Sequence, residues 1–187
     1  MKPGSKWSAE DTDEELIERW KRGESRAATE LVKRHADALA RFATSAGERE
    51  DIEELVQDTF VRAFSSLDNF RSESSLRTWL FTIERRLMLD RRRAERRERN
   101  VIPIDGSDIA TEYDPLDGVI ASETARKVRQ AIGSLSPMQR DVFTMRVEQG
   151  LAYREIATIL GTSEGAARVH YHNAVVSVKE RLNDQVH

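Results

Sequence analysis

The chain has 187 residues, enough for one large or two small domains, and its 34% charged residues nearly cancel to a net charge of −3. That balance does not announce a nucleic-acid partner, so any basic surface has to come from uneven distribution along the chain. The absence of cysteine excludes disulfides, zinc–cysteine sites and thiol redox sensing by the chain itself. No apolar run approaches the roughly 20 residues needed to span a bilayer, and the N-terminus lacks the apolar core of a secretion signal, so a cytoplasmic chain is expected.

Thr12 and Glu15 have capping-box spacing ahead of Leu16, Ile17 and Trp20 and predict a first helix. A second carries Ala28, Leu31, Val32, His35, Leu39 and Phe42 on one face and ends at Ala46-Gly47. A third begins near Asp51, with acids in its first turns, where the helix dipole favours them. Its apolar face is Ile52, Leu55, Val56, Phe60, Ala63, Phe64 and Leu67. After a polar loop at 72–75, a fourth helix starts at Ser74 or Ser75, buries Leu76, Trp79, Leu80, Ile83 and Leu87, and runs into an arginine-rich end near Asn100. Trp79 and Phe81 stand about 200° apart around that helix, so they cannot both face one core. Trp79 falls on the apolar stripe, which leaves Phe81 the freer ring.

Charge is stored in adjacent blocks. Arg85, Arg86, Arg91, Arg92, Arg93, Arg96, Arg97 and Arg99 face only three acids over the same fifteen residues, whereas 100–124 holds six acids and no lysine or arginine. The arginine run favours phosphate contact over a merely solvated helix end; such contacts position a protein without specifying sequence. The acidic stretch, with Pro103, Gly106, Pro115 and Gly118, reads as a flexible linker. The expected organisation is a unit at 1–99, a linker at 100–122 and a second unit at 123–187. Helix follows helix with no convincing strand, so the fold class is all-α, two small helical domains.

In the second unit Val128, Ala131, Ile132 and Leu135 form a first apolar face. Ser136-Pro137-Met138-Gln139 is a strong helix start, since serine caps, proline suits the first helical position and glutamine reaches back; Gly150 closes that helix. The stretch from Tyr153 to Arg168 then reads as two short helices joined by a turn, a helix-turn-helix. Gly161 suits the left-handed exit from the first helix, and Ser163 can cap the second. On that second helix Ala167, Tyr171, Ala174 and Val178 recur at helical spacing and face inward, leaving Glu164, Arg168, Val169, His172 and Asn173 outward, toward a duplex. Arg168 can bond guanine with two hydrogen bonds or grip phosphate, and Asn173 can read adenine or simply face water. His170 and His172 diverge on a helix and do not share a metal.

These residues match a family in order and spacing: the chain resembles a bacterial extracytoplasmic-function sigma factor of the minimal two-domain type. The first block, Asp51-Ile52-Glu53-Glu54-Leu55-Val56-Gln57-Asp58-Thr59-Phe60-Val61-Arg62-Ala63-Phe64, looks like the family's core-polymerase-binding helix. The second, Phe70-Arg71 and then Ser74-Ser75-Leu76-Arg77-Thr78-Trp79-Leu80-Phe81-Thr82-Ile83 with Asp90 and its arginines, looks like the segment that opens and reads the −10 promoter element. The third, from Leu135 through the helix-turn-helix, is similar to the reader of the −35 element.

The resemblance implies polymerase binding by Asp51, Glu54, Gln57, Asp58, Val61 and Arg62. It implies −10 contacts by Asn69, Arg71, Ser74, Arg77, Trp79, Phe81, Arg85, Arg86, Arg91, Arg92 and Arg93, with flipped bases held at the 69–75 loop. Arg86 departs from the asparagine that many members carry. For the −35 element it implies Tyr153, Arg154, Ser163, Glu164, Gly165, Arg168, Val169, His172 and Asn173. The partners implied are core RNA polymerase, promoter DNA and an anti-sigma factor. The sequence shows no phosphate-cradling glycine loop, metal-ligand spacing or nucleophile constellation, so neither an enzyme nor a cofactor or metal is expected. The other reading, a free-standing helix-turn-helix regulator, leaves the tryptophan-containing helix and the arginine run without a role.

Overall fold

A computed structural model describes residues 11–98 and 123–184. The predicted linker and Arg99 lie outside the described residues. Among the described residues the chain forms eight α-helices and no strand: α1 (Asp13–Lys21), α2 (Ser25–Ser45), α3 (Ile52–Ser65), a 3₁₀ turn (Leu67–Asn69), α4 (Leu76–Glu98), α5 (Glu123–Gly133), α6 (Pro137–Val147), α7 (Tyr153–Leu160) and α8 (Glu164–Asp184).

Local chemistry sets the helix ends. The Glu15 amide donates to Thr12 Oγ1 at 3.3 Å and the Thr12 amide to Glu15 Oε2 at 2.8 Å, the reciprocal box read from sequence. Ser136 and Gln139 repeat it at α6, with Pro137 in the first helical position. Ser75 caps α4 by accepting the Thr78 amide at 3.1 Å. Gly161 ends α7 at φ +66°, a left-handed conformation that glycine adopts without a Cβ clash, and Ser163 caps α8 by accepting the Ala166 amide at 3.1 Å.

In the first unit α2 buries Ala27, Leu31, His35, Ala38, Leu39, Phe42 and Ala43, and α3 buries Leu55, Val56, Thr59, Phe60 and Ala63. The α1 helix is fastened by Leu16 and Ile17 in the core, by Trp20 against Phe64 at 5.2 Å, and by Asp13, whose carboxylate lies 2.7 Å from His35 Nε2. Burial alone would raise the Asp13 pKa, but His35 and Arg34 outweigh it and the net direction is down. This contribution to stability is therefore present above the ordinary carboxylate range and lost as pH falls through the lowered value.

The two units share a core. Buried side chains run continuously from Leu16, Leu39, Phe42 and Leu80 to Val142, Met145, Ile156 and Ile159 of the second unit. A smaller cluster of Ala131, Leu135, Ala174 and Val178 fastens α5 to α8. The α4 helix is packed by α2 and α3 and also by α7, and this reverses the expectation for its two aromatics. Phe81 is fully buried, edge-on to Phe42 at 5.3 Å, whereas Trp79 is only partly buried and leans on Phe70 at 5.1 Å. Over residues 76–85 α4 is enclosed from several sides and has no exposed residue, so the ring two residues from Trp79 is the core residue.

Candidate nucleic-acid interface

The outer face of α3 is open to solvent. Gln57 and Arg62 are exposed, and Val61 is 58% exposed beside them, an unusually apolar point on a charged surface. Asp51 and Glu54 are exposed at the start of the same helix, with Asp51 at φ +55°. Asp58 is turned toward α4, where Arg91 Nη2 lies 3.4 Å from its carboxylate and 4.0 Å from that of Glu54.

The arginine run on α4 is less free than its sequence suggests. Arg92 pairs with Glu48 at 3.0 Å and donates to the Ala46 carbonyl at 2.7 Å; Arg85 lies 3.5 Å from Asp141 of the second unit. These partners are distant in sequence, so a local count of acids does not find them. Arg86 and Arg97 are exposed, as is Arg93 despite a 3.5 Å pair with Asp90. A duplex can reach this second set at the cost of no more than the exposed Arg93–Asp90 pair. Salt dependence tests the difference: neutralising Arg86, Arg93 and Arg97 together lowers the log–log salt slope of promoter binding by about 0.9 for each phosphate they no longer neutralise, whereas neutralising Arg91 and Arg92 changes stability more than slope.

Between the units lies a cleft of about 650 Å³. One wall is the loop with Asn69, Arg71 and Ser74, backed by Trp79; the other is α7, through Arg154, Glu155 and Thr158. Thr78 and Glu155 both line the cleft, and hydrogen bonds cross between the units there and nearby. Thr78 Oγ1 donates to Glu155 Oε1 at 2.9 Å, while Glu155 Oε2 accepts the Ala152 amide at 2.9 Å and so caps α7. Arg77 Nη2 donates to Gln149 Oε1 at 2.8 Å. Arg77 and Arg85 thus lie in the contact with the second unit, and Phe81, expected to be the freer ring, lies in the core. The partners Asp141, Gln149 and Glu155 had no local signal in the sequence, because pairing across units leaves no periodicity.

The helix-turn-helix has the predicted orientation. Ala167, Ala174 and Val178 are buried and Tyr171 is packed against the core, while Ser163, Glu164, Gly165, Arg168, Val169, His172 and Asn173 are all exposed. Tyr153, at the start of α7, is half-buried with the Arg168 guanidinium over its ring at 4.6 Å. No group of three or more histidines and acids that could hold a metal occurs among the described residues.

Two known families match separate stretches of the chain. The Sigma-70 region 2 family matches residues 31–98, and the Sigma-70 region 4 family matches 125–177. The chain is 34% identical over 160 residues to the RNA polymerase sigma factor NccH of Alcaligenes xylosoxydans xylosoxydans, covering 82% of this chain and 86% of that one. The chain belongs to the extracytoplasmic-function sigma factors of the sigma-70 family. The sigma-E factor of Haemophilus influenzae is 28% identical over 180 residues, covering 91% of this sigma factor and 95% of its own length. Among solved structures, CnrH in complex with the cytosolic domain of CnrY superposes with a TM-score of 0.69 at 30% identity, over 93% of this chain and 99% of that one. The sigma factor RpoE of Bartonella quintana, in complex with the anti-sigma factor NepR, gives 0.65 at 26% identity, over 83% and 96%. As a sigma factor the chain binds core polymerase and directs initiation at a class of promoters. Among its described residues no helix is long and apolar enough to cross a membrane.

Proposed function

We propose a residue-level division of labour for this sigma factor. The exposed face of α3, through Gln57, Asp58, Val61 and Arg62 with Asp51 and Glu54, docks on core polymerase. The 69–75 loop with Trp79 holds melted −10 bases, the exposed arginines of α4 follow the backbone, and the outer face of α8 reads the −35 duplex. These sites belong to a unit at 1–99 and a unit at 123–187 joined by the acidic linker. The observation that carries the reading is the coincidence of two matched sigma regions with two surfaces left exposed by the fold, one on α3 and one on α8. The protein acts in the cytoplasm and performs no covalent chemistry.

An anti-sigma factor holds it silent. Support comes from its solved relative RpoE, which was captured with such an inhibitor. A free-standing regulator would use only the second unit and leave the matched region 2 idle.

In-vitro transcription with purified core polymerase tests the whole reading, and initiation at no promoter would overturn it. Val61→Glu tests the docking face. Because Val61 is largely exposed, the fold is retained, while affinity for core polymerase falls tenfold or more, as expected when a charge enters the centre of a helix-on-helix contact. Fluorescence anisotropy of labelled protein against core polymerase measures it.

A further inference from the structure

Arg168 is the exposed cation at the start of the recognition helix, and its side chain is not left to wander. Its guanidinium carbon lies 4.6 Å from the centre of the Tyr153 ring, and its Nη2 pairs with Glu164 one turn earlier. Tyr153 is in turn held. The guanidinium of Arg146 lies over the same ring at 4.9 Å, and Arg146 is pinned by donating to the Leu151 carbonyl at 2.8 Å. Tyr171 meets the Tyr153 ring edge-on at 5.8 Å, and Phe143 stacks on Tyr171 at 6.2 Å. Residues from α6, α7 and α8 therefore converge in an aromatic column whose outer end is the Arg168 guanidinium.

An arginine that tumbles freely loses much rotamer entropy when it binds, and it finds a phosphate as readily as a base. A guanidinium held by its face over an aromatic ring keeps its N–H donors at the rim, where they can meet the two acceptors of a guanine edge in the major groove. We propose that Tyr153 is a positioning residue that aims Arg168 at a base pair, so that it governs sequence discrimination rather than overall affinity. This role rests on the reading of α8 as the −35 reader. The partner is a guanine-containing pair in the major groove; Glu164 sets the rotation of the guanidinium, and Tyr153 its height above the helix.

The test uses holoenzyme assembled from core polymerase and full-length sigma variants, with promoters carrying each of the four bases at every −35 position. Wild type and Tyr153→Phe, which keeps the ring, should prefer guanine at one position by about tenfold or more. Arg168→Ala should lose that preference. Tyr153→Leu should lose most of it, so that the four bases are bound with similar affinity. Because Tyr153 also supports Tyr171, Tyr153→Met is measured beside it, and the Arg168 Hε resonance of the free protein gives an independent readout. Ring current should shift it upfield in wild type and Tyr153→Phe but not in the Leu or Met variants. Full base preference in folded Tyr153→Leu and Tyr153→Met, or an Hε resonance indifferent to the ring, would overturn the positioning role while leaving Arg168 a base reader. Unchanged preferences in Arg168→Ala would instead overturn the reading of Arg168 on which it depends.

Discussion

Glu84→Leu raises the unfolding free energy at neutral pH by about 1–3 kcal/mol, the range for relieving one buried polar group without a partner. Glu84 is fully buried on α4, and neither carboxyl oxygen has a hydrogen-bond partner. Burial, reinforced by the Glu48 carboxylate, pushes its pKa from 4.5 up to about 9. The folded protein therefore keeps Glu84 protonated through the neutral range, while the unfolded chain ionises it near its ordinary value. Its contribution is fully present below the unfolded pKa and is lost as pH rises toward about 9. Urea unfolding followed by circular dichroism at a series of pH values between these limits shows it. Wild type weakens across the series, whereas Glu84→Leu loses this part of the pH dependence. Glu84→Gln separates the two causes, since an amide does not titrate but still leaves polar atoms unmet: its stability stays close to that of wild type at the acid end of the series and exceeds it increasingly as pH rises. A wild-type stability that does not fall relative to Glu84→Gln as pH rises would show that Glu84 does not carry the linkage. The Asp13 effect lies at the acid end and does not overlap.

Phe81→Ala costs about 3–5 kcal/mol, the range for removing a buried ring from a packed core. Phe81 is fully buried, edge-on to Phe42, with the Arg77 guanidinium 5.5 Å from its ring centre. Phe81→Leu keeps an apolar side chain there and costs a fraction of that. The informative comparison is with promoter melting, read by permanganate reactivity of unpaired thymines. Holoenzyme containing Phe81→Leu melts the −10 region normally. Trp79→Ala, at the edge of the interdomain cleft, costs less stability than Phe81→Ala but reduces melting, because stacking on an aromatic ring contributes about 1–3 kcal/mol per base. The opposite pattern would assign base capture to Phe81 and require α4 to be stripped of its packing in the open complex.

The contrast between these rings shows what is legible in the sequence. Features set by a few neighbouring residues are readable: the Thr12 and Ser136 capping boxes, the left-handed exit at Gly161, the Ser163 cap, and the division of α8 into buried Ala167, Ala174 and Val178 and exposed Arg168, Val169 and Asn173. Each is a backbone requirement or a 3.6-residue period, and each is complete within one helix. Phe81, Arg85, Arg92 and Glu84 escape such reasoning because their surroundings come from other helices. Nothing near Arg85 announces Asp141, nor does anything near Arg92 announce Glu48. An arginine-rich end that reads as one electrostatic patch is, in three dimensions, partly a set of internal tethers and partly a surface.

The contact between the two halves combines a shared apolar core with polar links, Thr78 to Glu155, Arg77 to Gln149 and Arg85 to Asp141, and it leaves Gln149 Nε2 unmet. Water can replace most of those links at a net cost of about a kcal/mol each. Glu155 holds Thr78 with one oxygen and the Ala152 amide with the other, so loss of the first bond would leave the cap at the start of α7 in place. A macromolecule that parted the halves would have to offset the exposure of the shared apolar core as well as these links, but not the local structure at the start of α7.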